Sequence, residues 1–499
     1  MLRQQPTAQD LSARPANLAP IVRELPADLE SPISAYLKLA GQGPSFLLES
    51  VTGGEQVARY SFIGVNPSQA FVLRGRAFEH QTADGVERIS LPEGSDPLDA
   101  LRAELSRFQP APTDDLPRFA GGLVGYLGYE AAGHFEPSLA LPQHASLPDA
   151  VFLLADSVVA FDHAFGRLLL IANASLNGDE AGARADAEAR LDQLEARLTA
   201  DLPVQSKSAD LPAESELRSN LTRSQFHSSV VQAKEHIAAG DVYQVVISRR
   251  FERQSSAAPF DIYRSLRRLN PSPYMFFFDF DDLAGDPPLR LIGASPEMHV
   301  RLDAGQAAMR PLAGTRPRGQ SALEDEAQEV DLLADPKERA EHVMLVDLAR
   351  NDLGRVCRYG SVQVHEQMEI ERYSHVMHIV SHVEGELNPD CDAFDLLRAT
   401  FPAGTVSGAP KIRAMELIAE LEGEARGPYA GAVGYFSYDG SLDTCITIRT
   451  LVMRGQTVSV QAGAGIVADS NPEREYQETA NKARALVEAL DRAEKEARP

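Results

Sequence analysis

The stretch LRLIGASPEMHVRL, residues 289–302, decides the fold class together with two stretches of similar composition, DTCITIRTLVM at residues 443–453 and TVSVQAGAGIV at residues 457–467. All three are rich in β-branched and apolar residues, as is YMFFFDF at residues 274–280, and this composition predicts β-strands. The strands do not alternate regularly with helices, as they would in a doubly wound sheet. The sequence therefore predicts an α+β fold, with large antiparallel β-sheets packed face to face and helices on the outside.

Two segments have the periodicity of helices, PKERAEHVMLVDLARND at residues 336–352 and EREYQETANKARALVEALDRA at residues 473–493. The first carries three acidic residues among apolar ones: Glu338, Glu341 and Asp347. The second places three charged residues on one helical face: Glu475, Glu478 and Lys482. Carboxylates from two helices suit Mg²⁺, which takes few protein ligands and keeps several waters. The same spacing is typical of a solvated charged face, so spacing alone leaves both interpretations open.

At 499 residues the chain is too long for one ordinary hydrophobic core, which predicts two to four domains. Residues 1–20 are polar and rich in Pro and Ala, so we expect a flexible tail. Residues 176–220 combine one amphipathic helix with a segment that has the composition of a linker. We therefore divide the chain into an N-terminal domain at residues 20–175 and a C-terminal domain at residues 220–495.

The charge balance excludes some classes of partner. The chain has 48 Lys and Arg residues against 72 Asp and Glu residues, and this net charge of −24 repels nucleic acid and anionic membranes. It has no compensating basic run, no apolar leader and no apolar run long enough to span a membrane. Its three cysteines lack CxxC spacing and are interpreted as small buried residues. We expect a cytoplasmic protein without nucleic-acid or membrane partners, in which an anionic substrate requires a local excess of positive charge.

Three motif-like segments are interpreted as unrelated to nucleotides or zinc. GAGIVA from Gly463 matches a dinucleotide fingerprint, but the helix signal comes seven residues later, where Ser470 begins the capping box SNPE. GTVSGAPK from Gly404 lacks the GK[ST] ending of a phosphate-binding loop. His378 and His382 have the spacing of a helical zinc pair, but HVMHIVSHVEGEL predicts a strand, in which they would lie about 13 Å apart.

Arg449 is a candidate anion-binding residue. In DTCITIRT it alternates with Ile446 and Ile448, which predicts a strand with Arg449 on the face opposite the core. An arginine beside the glycine-rich segment AGAG would suit a planar carboxylate, because its guanidinium group can form two parallel hydrogen bonds. A surface ion pair is an equally acceptable interpretation of this pattern.

Several motifs together resemble the chorismate-utilising enzymes: PLAGTRPRG (311–319), EHVMLVDLARNDLGRV (341–356), SGAPKIRAMELI (407–418), GAVGYF (431–436), DTCITIRT (443–450), QAGAGIVADS (461–470) and ETANKARA (478–485). LLES at residues 47–50 and NPSPYMFF at residues 270–277 are similar to the anthranilate synthase large subunits within that family. The resemblance covers residues 20–490. It implies the fold of the family and an enzyme, with Mg²⁺ as cofactor, that aminates chorismate at C2 with ammonia and then eliminates pyruvate. The product would be anthranilate, in the first step of tryptophan biosynthesis.

Transferred position by position, the resemblance implies a metal site and a substrate site. Glu341 and Glu478 would bind Mg²⁺ with Glu475 close by, and the ion would hold the ring carboxylate of chorismate. The residues that would bind chorismate are Gly314, Thr315, Tyr429, Arg449, Gly463, Ala464, Gly465 and Lys482. Of these, Arg449 and Lys482 would face carboxylate charge and supply the local excess of positive charge.

The same resemblance implies catalytic roles for Glu297, His378, Gln244 and Thr315. Glu297 would protonate the departing C4 hydroxyl group, for which its surroundings must raise its pKa. His378 would orient or move a proton during the loss of pyruvate. Gln244 stands where relatives that add water carry a lysine base, and ammonia needs no such base. Ala313 stands where relatives that aminate C4 commonly carry a nucleophilic lysine, so ammonia itself would add at C2.

Ammonia supply and regulation involve partners. None of the cysteines has the neighbours of a glutaminase nucleophile, so a separate glutamine amidotransferase small subunit would supply ammonia in a hetero-oligomer. L-Tryptophan would act as a feedback inhibitor between the two domains. Its site would comprise Leu48, Glu49, Ser50, Arg59, Tyr60, Ser61, Asn270, Pro273, Tyr274 and Met275. Two alternatives stay open: an aminodeoxyisochorismate-forming enzyme that stops before pyruvate is lost, and a non-catalytic tryptophan-sensing scaffold.

Overall fold

The computed structural model describes residues 15–51, 59–92, 94–113, 115–144, 146–203, 216–372 and 376–497. Most of the predicted tail at residues 1–20 lies outside these residues. The strands form two twelve-stranded sheets, and their pairings are antiparallel. The prediction of an α+β fold with large antiparallel sheets is therefore confirmed.

The first sheet combines strands from both ends of the chain. In the order in which they pair, they are β1 (Leu18–Pro26), β10 (Arg167–Ser175), β9 (Ser157–Asp162), β3 (Tyr60–Val65), β2 (Ser45–Glu49), β13 (Tyr274–Asp279), β14 (Leu289–Ser295), β23 (Thr450–Arg454), β24 (Thr457–Ile466), β12 (Gln244–Gln254) and β11 (Arg218–Ser219). The short strand β20 (Gly408–Ala409) also pairs with β12.

The second sheet is built in the same way. Its strands, in pairing order, are β17 (Leu312–Pro317), β19 (Val376–Glu386), β16 (Gln306–Met309), β15 (Met298–Asp303), β22 (Leu442–Ile446), β21 (Ala432–Ser437), β7 (Gly122–Leu127), β8 (Ala150–Ala155), β4 (Gln69–Arg74), β5 (Ala77–Thr82) and β6 (Gly85–Ser90). The remaining strand, β18 (Gln363–Arg372), pairs with β19.

The N-terminal and C-terminal parts of the chain meet within both sheets. β2 pairs with β13 in the first sheet, and β7 pairs with β21 in the second, where Gly125 lies opposite Gly434. A Cβ atom on Gly125 would lie 1.9 Å from the carbonyl oxygen of Val151, so only glycine fits at this close approach. The two predicted domains thus share both sheets, and their division stays a prediction.

The two sheets pack face to face, because Phe62 and Phe276 of the first and Val124 and Tyr435 of the second belong to one buried cluster. The helices cover the outer faces of the sheets. They are α1 (Pro32–Leu39), α2 (Pro97–Leu105), α3 (Ala132–Phe135), α4 (Glu180–Leu198), α5 (Arg223–Ala239), α6 (Pro259–Leu269), α7 (Ala322–Ala334), α8 (Pro336–Gly354), α9 (Ala393–Thr400), α10 (Lys411–Glu422) and α11 (Pro472–Ala497). None of the helices in the described part of the chain is both long and apolar enough to cross a membrane.

Two segments that look like single strands in the sequence cross from one sheet to the other. LRLIGASPEMHVRL divides into β14 and β15, and Pro296 and Glu297 form the first crossover. DTCITIRTLVM divides into β22 and β23, and residues 447–449 form the second crossover. The prediction that Arg449 lies on a strand is therefore wrong, since its φ of 50° lies in the left-handed region. The alternation of apolar residues continues through a crossover because both sheets are buried.

Helix α11 begins at Pro472, close to the predicted position. Its cap is Asn471, whose side chain accepts hydrogen bonds from the amides of Glu473 and Arg474 at 3.0 and 3.2 Å. The prediction of a capping box at Ser470 is therefore wrong by one residue. The Ser470 hydroxyl instead accepts a hydrogen bond from the Val467 amide at 3.1 Å. The three cysteines are free, and Cys357 and Cys445 are buried, as predicted, whereas Cys391 is partly exposed.

Candidate active site

The two crossovers lie side by side. The Ile446 amide donates a hydrogen bond to the carbonyl oxygen of Glu297 at 3.1 Å, and the Ala294 amide donates to that of Arg449 at 3.0 Å. The Ser295 hydroxyl donates to the carbonyl oxygen of Ile446 at 2.7 Å. These bonds fix the backbone of both crossovers. The predicted acid and the predicted carboxylate-binding residue are therefore neighbours, although they are far apart in the sequence.

Glu297 is almost completely buried, with 7% of the residue exposed. Burial raises the pKa of its carboxyl group to about 8 and outweighs the opposing effects of Thr405, the Leu312 amide and Lys482. The carboxyl group is therefore protonated at pH 7, as a general acid must be. Thr405 belongs to the 3₁₀ turn Gly404–Val406 and was not among the predicted site residues.

His378 lies on β19, opposite Thr315 of β17. Its Nδ1 atom lies 2.9 Å from the carbonyl oxygen of Gly314 and 3.1 Å from the hydroxyl oxygen of Thr315. Because a carbonyl oxygen can only accept, Nδ1 carries the proton and the neutral ring has its lone pair on Nε2. Burial lowers the pKa of His378, and the charges of Arg449 and Lys482 lower it further, so the ring is neutral at pH 7.

Gly314 determines the direction of the hydrogen bond between its own carbonyl oxygen and Nδ1 of His378. Its φ is 68°, and the pairing of β17 with β19 shifts register between Ala313 and Thr315. A Cβ atom on Gly314 would lie 3.1 Å from Leu332, in addition to the strain of the left-handed backbone. Glycine therefore allows the bulge that turns the Gly314 carbonyl group toward His378.

Two positively charged side chains belong to this region: Arg449 lies on the second crossover, and Lys482 lies close by. Burial lowers the pKa of Arg449, whose side chain has no ion pair or hydrogen bond with any described residue. Lys482 of α11 donates to the carbonyl oxygen of Gly463 at 3.0 Å and pairs with Glu478 at 2.8 Å. Its charge also lowers the pKa of Glu297. A partly buried guanidinium group without a carboxylate partner is costly, so the site favours an anionic ligand.

Gly463, Ala464 and Gly465 lie on β24 beside β12. A Cβ atom on Gly463 would lie 2.7 Å from the Tyr429 hydroxyl oxygen, and one on Gly465 would lie 2.4 Å from Nε2 of Gln244. Glycine at both positions therefore lets Tyr429 and Gln244 approach the strand. Burial raises the pKa of Tyr429 to about 12, so its hydroxyl group keeps its proton.

Helices α8 and α11 present two pairs of carboxylates, Glu338 with Glu341 and Glu475 with Glu478. Burial raises the pKa of Glu338, and the charge of Glu341 raises it further. Burial also raises the pKa of Glu475, where Glu478 adds to the effect and Lys337 of α8 opposes it. Lys337 of α8 therefore lies near enough to Glu475 of α11 for its charge to affect that carboxyl group. Repulsion within each pair and the hard oxygen donors favour a cation such as Mg²⁺.

Within the described ranges, no three His, Cys, Asp or Glu side chains lie close enough to enclose a metal ion by themselves. The two predicted ligands have protein partners. Gln244 donates from Nε2 to Oε1 of Glu341 at 3.0 Å, and Lys482 bonds to Oε1 of Glu478 at 2.8 Å. Mg²⁺ commonly takes one or two carboxylates and completes its shell with water and substrate oxygens. The residues present therefore fit an ion that an anionic substrate helps to hold.

A buried charge network that no sequence motif identified lies behind the glycine strand. The Arg426 guanidinium group donates to Glu422 at 2.6 Å and to the carbonyl oxygen of Val246 at 2.7 Å. Glu422 accepts from the Ser248 amide at 2.7 Å. Glu130, from the N-terminal part of the chain, accepts from the Arg426 amide at 2.6 Å. Glu422 and Arg426 are four residues apart, but Val246, Ser248 and Glu130 lie on other segments, so the network as a whole has no local pattern in the sequence.

A cavity of about 1290 Å³ lies beside the pairing of β2 with β13. It is lined by eight residues predicted to bind tryptophan: Leu48, Glu49, Ser50, Arg59, Tyr60, Pro273, Tyr274 and Met275. The Ser50 hydroxyl group is buried and has no hydrogen-bond partner among the described residues. The structure thus brings the two predicted segments together, and their role in binding tryptophan stays a prediction.

The other two predicted tryptophan residues do not line this cavity. Ser61 lies on the opposite face of β3, where its hydroxyl group bonds to His163 at 2.7 Å. Asn270 lies directly after α6. The carboxylate of Glu49 also has a partner outside the predicted set, since Arg267 donates to it at 2.9 Å.

Comparison with known proteins gives one consistent result. The family model described as chorismate binding enzyme matches residues 44–488. The chain is 49% identical over 486 residues to anthranilate synthase component 1 of Aquifex aeolicus (strain VF5), which covers 96% of each chain. It is 46% identical over 481 residues to anthranilate synthase component 1 of Acinetobacter calcoaceticus, which covers 95% of each chain.

Solved structures agree. The crystal structure of anthranilate synthase component I from Streptococcus pneumoniae TIGR4 is similar with a TM-score of 0.75 and 38% identity, covering 93% of this chain and 98% of that chain. The menaquinone-specific isochorismate synthase from Escherichia coli has a TM-score of 0.70 at 21% identity, covering 97% of each chain, and this likeness shows a shared fold alone. The chain therefore belongs to the chorismate-binding enzyme family and, within it, to the anthranilate synthase component 1 chains.

Proposed function

We propose that this chain adds ammonia to C2 of chorismate and then eliminates pyruvate to give anthranilate, the first step of tryptophan biosynthesis. The observation that carries the proposal is that Glu297, a carboxylic acid protonated at pH 7, and Arg449, whose guanidinium group has no partner among the described residues, lie on two adjacent crossovers. Amination of chorismate requires this combination, because a hydroxyl group must leave as water while the carboxylates of the substrate are held in place.

Two cationic side chains would hold the carboxylates of chorismate. Arg449 has no partner within the described part of the chain, so its guanidinium group can form a bidentate pair with a substrate carboxylate. Lys482 is already fixed near the glycine strand by its bond to the Gly463 carbonyl oxygen. These charges reverse locally the net charge of −24, which would otherwise repel an anionic substrate.

Glu297 would act in the first half-reaction. The lone pair of ammonia forms a bond to C2, the ring double bonds shift, and the bond between C4 and its hydroxyl oxygen breaks. The proton of Glu297 goes to that oxygen, which leaves as water, while the new C2 ammonium group releases one proton to solvent and Glu297 takes up one proton before the next turnover. Gln244 is neutral, and no base is needed because ammonia carries its own lone pair. Ala313 offers no amine, so no covalent bond from the chain to C2 competes.

His378 would act in the second half-reaction. Loss of the C2 proton restores a ring double bond, the bond from C3 to the enolpyruvyl oxygen breaks, and the released enolpyruvate takes up a proton to become pyruvate. The lone pair on Nε2 can accept the C2 proton, because Nδ1 donates to Gly314 and Thr315 lies against the same atom. The lowered pKa of His378 keeps the ring neutral at pH 7.

The cofactor, partner and inhibitor are part of the same proposal. Mg²⁺ held by Glu341 and Glu478, with Glu475 nearby, would neutralise the ring carboxylate of chorismate. A glutamine amidotransferase small subunit would bind the chain and supply ammonia, and L-tryptophan would bind in the cavity that Ser50 lines. The three free cysteines are consistent with a reducing compartment, and we propose the cytoplasm.

The decisive experiment is an assay of the purified chain with chorismate, Mg²⁺ and an ammonium salt near pH 8. Anthranilate, followed by its fluorescence, and pyruvate should form in equal amounts. Glutamine in place of ammonium should yield no product until an amidotransferase subunit is added. Glu297→Gln, purified in the same way, controls for a contaminating enzyme. An aminated product without pyruvate would favour the aminodeoxyisochorismate alternative, and no consumption of chorismate would overturn the proposal.

A further inference from the structure

Glu130 is a buried carboxyl group that the proposed reaction does not use. It belongs to the 3₁₀ turn Tyr129–Ala131, which follows β7 in the N-terminal part of the chain, and 6% of the residue is exposed. Its Oε1 atom accepts a hydrogen bond from the Arg426 amide at 2.6 Å, and its Oε2 atom accepts from the Gly427 amide at 2.9 Å. The Tyr129 amide donates to the Gly427 carbonyl oxygen at 2.9 Å. The turn therefore holds the backbone of residues 426–427.

The segment that Glu130 holds leads directly into the candidate active site. Two residues after Gly427 comes Tyr429, whose hydroxyl group lies against Gly463 of the glycine strand. The Ala430 amide donates to the Thr447 carbonyl oxygen in the second crossover at 3.0 Å. Residues 426–430 thus connect Glu130 to both the glycine strand and the crossover that carries Arg449.

The charge of Glu130 is not needed to neutralise Arg426. The Arg426 guanidinium group pairs with Glu422 and donates to two carbonyl oxygens, those of Val406 and Val246. Its guanidinium carbon also lies 4.7 Å from the ring centre of Tyr129. Glu130 contacts Arg426 only at the backbone, so its carboxylate is held mainly by amide donors. Its position suits alignment of a backbone segment rather than an ion pair.

We propose that Glu130 is a positioning residue that keeps Tyr429 against the glycine strand while its carboxyl group is ionised, so that the N-terminal part of the chain sets the affinity for chorismate. This inference rests on the proposed function for the role of Tyr429. An ionised carboxylate accepts both amide protons at once. A protonated one places its own hydroxyl hydrogen among these donors and weakens at least one bond.

The ionisation state of Glu130 changes near neutral pH. Burial raises the pKa of Glu130 to about 7, the amides of Arg426, Glu130 itself and Gly427 lower it, and Asp149 raises it. The titratable groups that interact with Glu130 are Asp149, Tyr126 and Tyr129, and the charged or titratable groups Glu422, Arg426 and Tyr429 surround the neighbouring Tyr129. Below pH 7 the carboxyl group is protonated, so the KM for chorismate should rise as the pH falls through about 7. The rate constant kcat should change little over the same pH range, because Glu130 touches no reacting atom. The rise of KM below about pH 7 is called the pH limb of the KM.

Glu130→Gln tests the inference, because the amide keeps the shape of the side chain but cannot accept both hydrogen bonds. Its KM for chorismate with ammonia should be about tenfold higher or more, the loss expected for a bond to a charged acceptor. Its KM should also lose the pH dependence seen in the wild-type chain. Asp96→Asn is the matched control, since Asp96 also has a raised pKa and bonds across the two parts of the chain, to Arg398. That variant should keep the wild-type KM and its pH limb.

The outcomes separate the two proposals. No anthranilate from the wild-type chain would overturn the proposed function. An active wild-type chain whose KM shows no limb near pH 7 would overturn the role of Glu130, whether or not the variant folds. The same holds if Glu130→Gln, folded by its thermal unfolding curve, keeps the wild-type KM or keeps the limb. Tyr429→Phe provides a second variant, which should raise the KM and remove the limb while Glu130 stays in place.

Discussion

Carboxyl groups occupy two opposite environments in the candidate site, the crossovers between the sheets and the helices α8 and α11. At the first crossover, Glu297 is 7% exposed and burial raises its pKa to about 8. On α11, the Glu478 side chain is 46% exposed and pairs with Lys482 at 2.8 Å. The same type of side chain is thus buried as a neutral acid in one region and is exposed and ion-paired in the other. The difference lies in burial and in the partner.

The strongest test of this contrast removes the acid. Glu297→Gln keeps the shape of the side chain but has no proton of suitable acidity, so kcat should fall by about 10²- to 10⁴-fold. Chorismate binding, measured by calorimetry, should persist because Arg449 and Lys482 are intact. A variant with kcat within about threefold of the wild type would remove Glu297 from the mechanism.

The second test removes a ligand from the helix region. Glu478→Gln should lower turnover by on the order of 10³-fold, because the ion and the substrate carboxylate lose a shared charged oxygen. Glu488→Gln is the matched control, since Glu488 lies on an exposed position of the same helix. Titration calorimetry with Mg²⁺ and chorismate should show weaker metal binding only for Glu478→Gln. Equal metal affinity in both variants would contradict the assignment.

The sequence predicts the helix region better than the crossovers. The carboxylates of α11 follow a helical period, so Glu475, Glu478 and Lys482 share a face both in the pattern and in the structure. At the second crossover, the alternation of apolar residues continues unbroken although the chain changes sheet. An alternation of apolar residues with a period of two shows only which side chains are buried. Both sheets are buried at the second crossover, so the alternation does not reveal the change of sheet. For this reason the left-handed backbone of Arg449 could not be predicted.

Long-range contacts mark a second limit of the sequence. Glu130 reaches the amides of Arg426 and Gly427 across the junction of the two parts of the chain. No motif joins Glu130 to Arg426 and Gly427, because Glu130 lies on a different segment and the contact exists only after the sheets form. The helix cap shows a smaller limit, since Ser470 and Asn471 are both good capping residues and only geometry selects Asn471.

A smaller effect is expected for inhibition by L-tryptophan through the cavity that Ser50 lines. This test compares a site beside the N-terminal part of the chain with the crossovers of the candidate active site. L-Tryptophan should raise the apparent KM for chorismate by about 5- to 150-fold, the range of ordinary coupling free energies. Ser50→Phe should fill the cavity and relieve inhibition, with little loss of uninhibited activity.

Reciprocity supplies the control for this coupling. Chorismate must weaken tryptophan binding by the same factor by which tryptophan weakens chorismate binding. Calorimetric titrations of tryptophan with and without chorismate measure that factor directly. Identical tryptophan affinities in the two titrations would exclude the coupling.

The smallest effect concerns pH. The first step needs protonated Glu297, so kcat per unit of free ammonia should fall by about tenfold for each pH unit above 8, the value to which burial raises its pKa. Rates measured at constant free ammonia, rather than constant total ammonium, isolate this limb. A rate that stays constant well above pH 8 would show that the acid is another group.

The central claim is that Glu297 is a neutral carboxylic acid at the pH where the enzyme works. Infrared difference spectroscopy, with the Glu297→Gln spectrum subtracted from that of the wild-type chain, follows the carbonyl band of this one protonated carboxyl group during a pH titration. The band should be present at pH 7 and disappear with a midpoint near pH 8. A band already lost near the ordinary value of 4.5 would mean that Glu297 is ionised at neutral pH and cannot protonate the leaving hydroxyl group.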